Sequence, residues 1–176
     1  CIENRAGDLG MESGHDCEDR TTRSVPLHGA INSGSRSHGE IVIDGYSKGD
    51  VHKLKIRDGD GFGVPQEDAI GFGWTMKKGG RPIGCGGFQD IGQGIGVVWV
   101  MLTDEVRGHG KKLSRFARQA TDIAFEEMGW HRIQAAVRCD RPEYQRWARM
   151  MGFQCEGRLR KAAPDKTDLF LYARVI

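Results

Sequence analysis

The chain has 176 residues, 38% of them hydrophobic, and a formal net charge of +2. That is enough for one domain with one core, and too mild a charge to argue for nucleic acid. No apolar run reaches the length of a membrane span and no signal-peptide pattern opens the sequence, so a cytoplasmic protein without a membrane partner is expected.

Residues 1–39 are rich in Gly, Ser, Asp, Glu and Arg, carry four basic and six acidic residues, and show no apolar period. They read as a disordered leader, with one domain over 40–176. His15, Cys17, His28 and His38 match no metal-ligand spacing, so no metal site is expected there. The five cysteines, Cys1, Cys17, Cys85, Cys139 and Cys155, form no CxxC pair. Free thiols are therefore expected, rather than a zinc or disulfide framework. Ile41–Asp44 reads as a first strand. Ser47-Lys48-Gly49-Asp50 has the form of a capping box for a short helix through Leu54. The stretch from Arg57 to Asp68 is rich in Gly and Asp and holds no clear helix. Strands are predicted over Ala69–Lys77, Pro82–Asp90 and Gly96–Thr103, joined by turns at Gly79-Gly80 and Gly92-Gln93-Gly94.

The stretch from Val97 to Leu113, VVWVMLTDEVRGHGKKL, is the most informative. An apolar strand stops at Thr103-Asp104-Glu105, and the loop Val106-Arg107-Gly108-His109-Gly110 feeds a helix near Lys111. The first N–H groups of a helix lack internal partners and that end of the dipole is electropositive, so it is a place to hold an anion. Arg107, Lys111, Lys112, Arg115 and Arg118 crowd this end with no acid between Arg107 and Arg118. Cations there oppose the dipole, which an anionic ligand would offset; a solvated basic face is the alternative. A Walker A loop is excluded, because Glu105 stands where it needs Gly and Lys112 where it needs Ser or Thr. A GxGxxG fingerprint is excluded by Leu113.

Helix Lys111–Met128 places Leu113, Phe116, Ala117, Ala120, Ala124 and Met128 on one face and ends at Gly129. A strand follows over Trp130–Val137. Asp140 can N-cap a second helix with Pro142 in its first turn. That helix carries Tyr144, Trp147, Ala148 and Met151 on one face and stops at Gly152-Phe153. Strands Gln154–Arg160 and Asp168–Val175 close the chain.

Arg107-Gly108-His109-Gly110-Lys111-Lys112 resembles motif A, Arg/Gln-x-x-Gly-x-Gly/Ala, of the GNAT superfamily of acyl-CoA N-acyltransferases, with Lys112 in place of the last small residue. HRIQAAV, a short helix, GFQCEGRLR and a closing LYAR strand repeat the layout of GNAT proteins, especially ribosomal-protein acetyltransferases. The wording HRIQAAVR, RWARMMGFQCEG and LYARV is similar to GNAT-like proteins of tailed phages, including podophage internal virion proteins. The resemblance covers residues 41–176. It implies an α+β GNAT-like fold with a mixed, mostly antiparallel sheet and a splayed cofactor groove.

It also implies acetyl-CoA as donor and an amine, on a small molecule or a protein, as acceptor. Backbone groups of Val100, Met101, Leu102 and Thr103 would hold the pantetheine and thioester carbonyl, and the loop from Arg107, Gly108, His109 and Gly110 to Lys111 and Lys112 the pyrophosphate. Many relatives carry a Glu on this strand; Val97 stands in its place. The nearest carboxylates are Asp104 and Glu105, and Glu105 could act as base through water, against the alternative of a solvated strand end. The family's Tyr proton donor is matched by Ala148. The Ser used by the ribosomal-protein type is matched by Tyr144, which becomes the expected acid, with core packing as its alternative. Two functions stay open: an N-acetyltransferase, and a GNAT-fold virion or interaction protein without catalysis.

Overall fold

The computed structural model describes residues 39–56 and 72–176. The predicted leader and the Gly- and Asp-rich stretch from Arg57 lie outside the described residues. Within them, seven strands form one sheet: β1 (Ile41–Gly45), β2 (Phe72–Lys78), β3 (Arg81–Asp90), β4 (Ile95–Leu102), β5 (Arg132–Arg138), β6 (Gln154–Leu159) and β7 (Leu169–Val175). Their order across the sheet is β1-β2-β3-β4-β5-β7-β6. Helices α1 (Gly110–Met128) and α2 (Pro142–Met150) complete the fold. The other predicted strands and the two long helices recur with shifts of a residue or two at their ends; the start of the strand expected from Ala69 lies outside the described residues.

All neighbouring strands run antiparallel except β4 and β5, which are parallel. That pairing covers only Ile95 with Arg132, Gly96 with Ile133 and Val97 with Gln134. Beyond Val97 the two strands part, so the sheet opens into a wedge at the place the sequence predicts. β4 keeps its bonds to β3 as far as Leu102. Its other edge, from Val98 onward, has no strand partner among the described residues.

The period-two pattern of β4 sends its side chains to two cores. Val98, Val100 and Leu102 pack toward α1, among Leu113, Ala120 and Val106. Trp99 and Met101 pack on the other face with Val51, Leu54 and Cys85. Apolar spacing places Leu113, Ala120, Ala124 and Phe125 of α1 against the sheet. Phe116, expected buried, is half-buried, with its ring edge-on to Trp74 at 5.6 Å. Gly129 ends α1 in the left-handed conformation, φ 63°.

The segment Asp104–His109 is a 3-10 helix instead of an open loop, and α1 begins at Gly110. The predicted helix through Leu54 is only the 3-10 turn Val51–Lys53. Asp50 takes no cap bond there. Its buried carboxylate accepts from the Thr75 hydroxyl at 2.9 Å and the Lys53 ammonium at 3.0 Å, which tie the turn to β2. Asp140 does not cap α2 either; Arg141 holds the cap position, no side chain caps the helix, and Pro142 opens it.

Trp130 lies flat against Gly96, next to the split. A Cβ at Gly96 would collide with its ring, and Trp130 is 3% exposed and cannot swing clear. Gly96→Ala is therefore expected to cost about 1–3 kcal/mol through overpacking. A fall of several degrees in Tm would show it; an unchanged Tm would contradict this packing.

Candidate functional site

The wedge between β4 and β5 continues into a chamber of about 250 Å³. Val97–Leu102 of β4 line it on one side and Ala135–Arg138 on the other. Ala117, Ala120 and Thr121 of α1 and Tyr144, Trp147 and Ala148 of α2 close it. Small side chains at these facing positions leave the space open. A second cavity of about 410 Å³ adjoins it, lined by Leu102, Thr103, Arg107, Gly110, Ser114, Glu143, Tyr144 and Trp147 among others. A third, over the first turns of both helices, includes Gly110, Lys111, Arg115 and Arg146.

Leu102, Tyr144 and Trp147 border both the chamber and the second cavity. Tyr144 and Trp147 thus stand between the start of α1 and the split between the strands. Two interhelical bonds shape it. The Trp147 indole N–H donates to Ser114 Oγ at 2.9 Å, and Arg118 donates to the Met150 carbonyl. Both bonds step the same way along the two helices, so the two N-termini lie at the same end.

The residues expected to hold a cofactor divide into two groups. Val100, Met101 and Leu102 line the chamber; Leu102, Thr103, Arg107 and Gly110 line the second cavity, and Lys111 the third. Gly108, His109 and Lys112 line none of the three. The Lys112 ammonium donates to the Ile41 carbonyl on β1. Thr103 is a fixed strand end: its N–H and its hydroxyl both donate to the Ile83 carbonyl, at 3.0 and 2.8 Å.

The anion-binding geometry is open. α1 has no side-chain cap and no acid in its first turn. Gly110 has ordinary helical angles, φ −57° and ψ −34°, and a Cβ on Gly108 or Gly110 would meet nothing within 4 Å. Neither packing nor conformation requires glycine at 110, and the bare backbone leaves room for a ligand. Arg107 pairs with Asp104 at 3.1 Å, both side chains largely exposed. Such a surface pair contributes little and can yield to a stronger anion.

Of the two expected catalytic residues, Tyr144 is half-buried at the junction of the two cavities. Glu105 is elsewhere. It pairs with Arg81 at 2.7 Å and lines none of the three cavities; the Arg81 guanidinium holds its carboxyl below the usual range. Val97 and Ala148 both line the chamber and bring no polar side chain to it. Cys139 is partly exposed, and the Cys85 thiol is buried and pushed up to about 11 by desolvation. No cluster of metal-ligating side chains occurs among the described residues.

Arg138, Ser114 and Trp147 also belong to the site, and the sequence pattern does not mark them for it. Trp147 reads as a member of the apolar stripe, and its indole N–H is the one signal of a polar role.

A parallel pair of strands that part beside a glycine-bearing helix start has a counterpart among known families. A family model described as an acetyltransferase (GNAT) domain matches residues 56–154, more than half of the sequence. The chain belongs to the GNAT acetyltransferases. Comparison with curated proteins gives no match.

Solved structures share this GNAT fold at low identity. A chimera of spermidine N-acetyltransferase SpeG from Vibrio cholerae with hSSAT is 16% identical with a TM-score of 0.61, covering 77% of this chain and 95% of that one. Ard1 from Thermoplasma volcanium is 13% identical with a TM-score of 0.63, covering 77% and 97%. Ribosomal-protein-S5-alanine acetyltransferase from Vibrio fischeri is 22% identical with a TM-score of 0.54, covering 61% and 62%.

Proposed function

We propose that this GNAT protein is an N-acetyltransferase that uses acetyl-CoA and acetylates an amine. The observation that carries the reading is that the uncapped start of α1, Tyr144 and the chamber beside the unpaired edge of β4 lie side by side. The residues present fit such a donor. The amides around Gly110 and the guanidinium of Arg107 would hold its pyrophosphate. The open edge of β4, at Val100–Leu102, would pair with its amide-bearing arm. Bound there, acetyl-CoA supplies an acetyl group activated as a thioester.

The chain's own groups then have three tasks: to fix the carbonyl, to exclude water and to move protons. The β4 backbone serves the first. The apolar walls from Val97, Val98, Ala117, Ala120 and Ala148 serve the second. The Tyr144 hydroxyl is the group that can give a proton to the departing sulfur. Glu105 fits the base role less well, because Arg81 occupies its carboxylate. It would serve only as the far end of a water chain. An acceptor amine on a small molecule or on a protein suits the reading, as the named relatives include a spermidine and a ribosomal-protein acetyltransferase. No helix among the described residues is long and apolar enough to cross a membrane, and we place the protein in the cytoplasm.

A second reading rests on Val97 and Ala148, which put apolar side chains where a catalytic carboxylate and tyrosine would stand. In it the protein keeps the fold as a phage virion or interaction component. Turnover of acetyl-CoA with a panel of polyamines and peptide amines separates the two: CoA release above the solvent rate supports the enzyme, and binding without release supports the second reading.

Arg107→Ala gives a further check on the loop. Part of the attraction between Arg107 and a phosphate is screened Coulomb interaction, so the loss of CoA affinity is expected to be larger at low salt than at high salt. Equal losses at both would remove Arg107 from the phosphate site.

A further inference from the structure

Arg138 ends β5, just where the wedge is open, and it lines the chamber while the residue is only 6% exposed. Its guanidinium makes a fork of bonds. Nε donates to Asp140 Oδ1 at 2.9 Å and Nη2 to Asp140 Oδ2 at 2.8 Å. Nη1 donates to Asp165 Oδ2 at 2.8 Å, and Nη2 also donates to the Thr167 hydroxyl at 3.1 Å. One planar cation therefore joins the turn before α2 to the loop before β7. A lysine could not reproduce that geometry.

The main chain around Arg138 is bound into the same unit. Its carbonyl accepts from the Arg141 N–H at 3.4 Å and from the Gln145 amide at 3.3 Å. The Cys139 carbonyl accepts from Gln145 at 2.9 Å, and the Cys139 N–H donates to the Asp168 carbonyl at 3.1 Å. No side chain caps the N-terminus of α2. These bonds tie the first turn of α2 to the end of β5, and Tyr144 sits in that turn.

We propose that Arg138 is a positioning residue for the acetyl transfer, holding the first turn of α2 so that the Tyr144 hydroxyl faces the junction between the chamber and the second cavity. The proposal rests on the reading of Tyr144 as proton donor. The clamp is constant over the assay range, because Arg138 holds the Asp140 carboxyl low and Asp165 is pushed down to about 2 by the Thr167 N–H and Arg138. A shift of about 1 Å in such a group can cost on the order of a hundredfold in rate without weakening a ligand held elsewhere.

The test uses Arg138→Lys and Asp165→Asn in the full chain, each alone and combined with Tyr144→Phe. Asp165 is nearly half exposed on a loop, so its amide variant keeps the fold even if the Arg138 variant does not. The readouts are kcat and KM for acetyl-CoA and, separately, the calorimetric Kd for CoA. Expected is a fall in kcat of about tenfold for Arg138→Lys, with KM and Kd within about twofold, and no further fall when Tyr144 is already Phe. A merely structural role would lower Tm and give the same loss with or without the Tyr144 hydroxyl. That additive result overturns the proposal, as does an unchanged kcat in both variants or in Tyr144→Phe itself. Failure of the unmodified chain to bind CoA is a different result. It removes the parent reading before any variant is made.

Discussion

Gly110→Val is expected to remove CoA binding and leave the domain folded. Gly110 is the first residue of α1, with helical angles and nothing within 4 Å of where a Cβ would stand, so the fold accepts a branched side chain there. Taking glycine out of a helix is worth up to about 1 kcal/mol in favour of the folded state, less for a β-branched replacement. The ligand has the opposite interest. A phosphate must come within hydrogen-bond distance of bare amides, and valine fills that approach. Each lost charge-assisted bond is worth about 1.5–3 kcal/mol, so affinity should fall at least about tenfold for every bond lost. Opposite signs in melt and affinity are what separate a ligand site from a structural glycine. Calorimetry with CoA beside thermal denaturation reads both. Unchanged affinity would mean that the loop does not hold the phosphates.

Tyr144→Phe is expected to lower kcat by about 10–100-fold and leave the Kd for CoA unchanged. The ring fills the same space, so the junction between the two cavities keeps its shape. Only the hydroxyl is lost, and with it the proton for the departing sulfur. Positioned acids of this kind contribute about 10²–10⁴-fold, and a thiolate, as a good leaving group, needs the help less than most. Steady-state kinetics on the variant gives the split between kcat and KM. If kcat does not move, Tyr144 is a packing residue, which its place on the apolar stripe of α2 also allows.

The parts of the fold written in short-range pattern were legible. The apolar run of β4, the helical spacing from Leu113 to Met128 and the glycine stops at Gly129 and Gly152 place their elements within a residue or two. The wedge was legible through resemblance to a family, because nothing in the spacing of β4 and β5 says that they part after Val97. Side-chain partners were another matter. Asp50 and Asp140 carry the residue types of helix caps. Each found a stronger partner: Thr75, 25 residues away, and the Arg138 guanidinium held in a buried fork. Lys112 reads as a phosphate cation from its position, yet reaches Ile41, 71 residues earlier, since β1 lies beside the start of α1. Glu105 reads as the carboxylate nearest the chemistry until Arg81 claims it. Thr75, Ile41 and Arg81 are brought in by the fold from 24 to 71 residues away, and local sequence does not contain those contacts. No acceptor motif is legible in the sequence, and the stretch between the turn at Val51–Lys53 and β2 lies largely outside the described residues.

The central claim is that the start of α1 and the wedge beside β4 form one site for a CoA thioester. Isothermal titration of the unmodified protein with CoA tests it most directly. Saturable one-to-one binding that is lost in Gly110→Val and weakened by salt is the predicted result. Absence of heat and of any thermal shift up to millimolar CoA, in a protein that melts cooperatively, would contradict it.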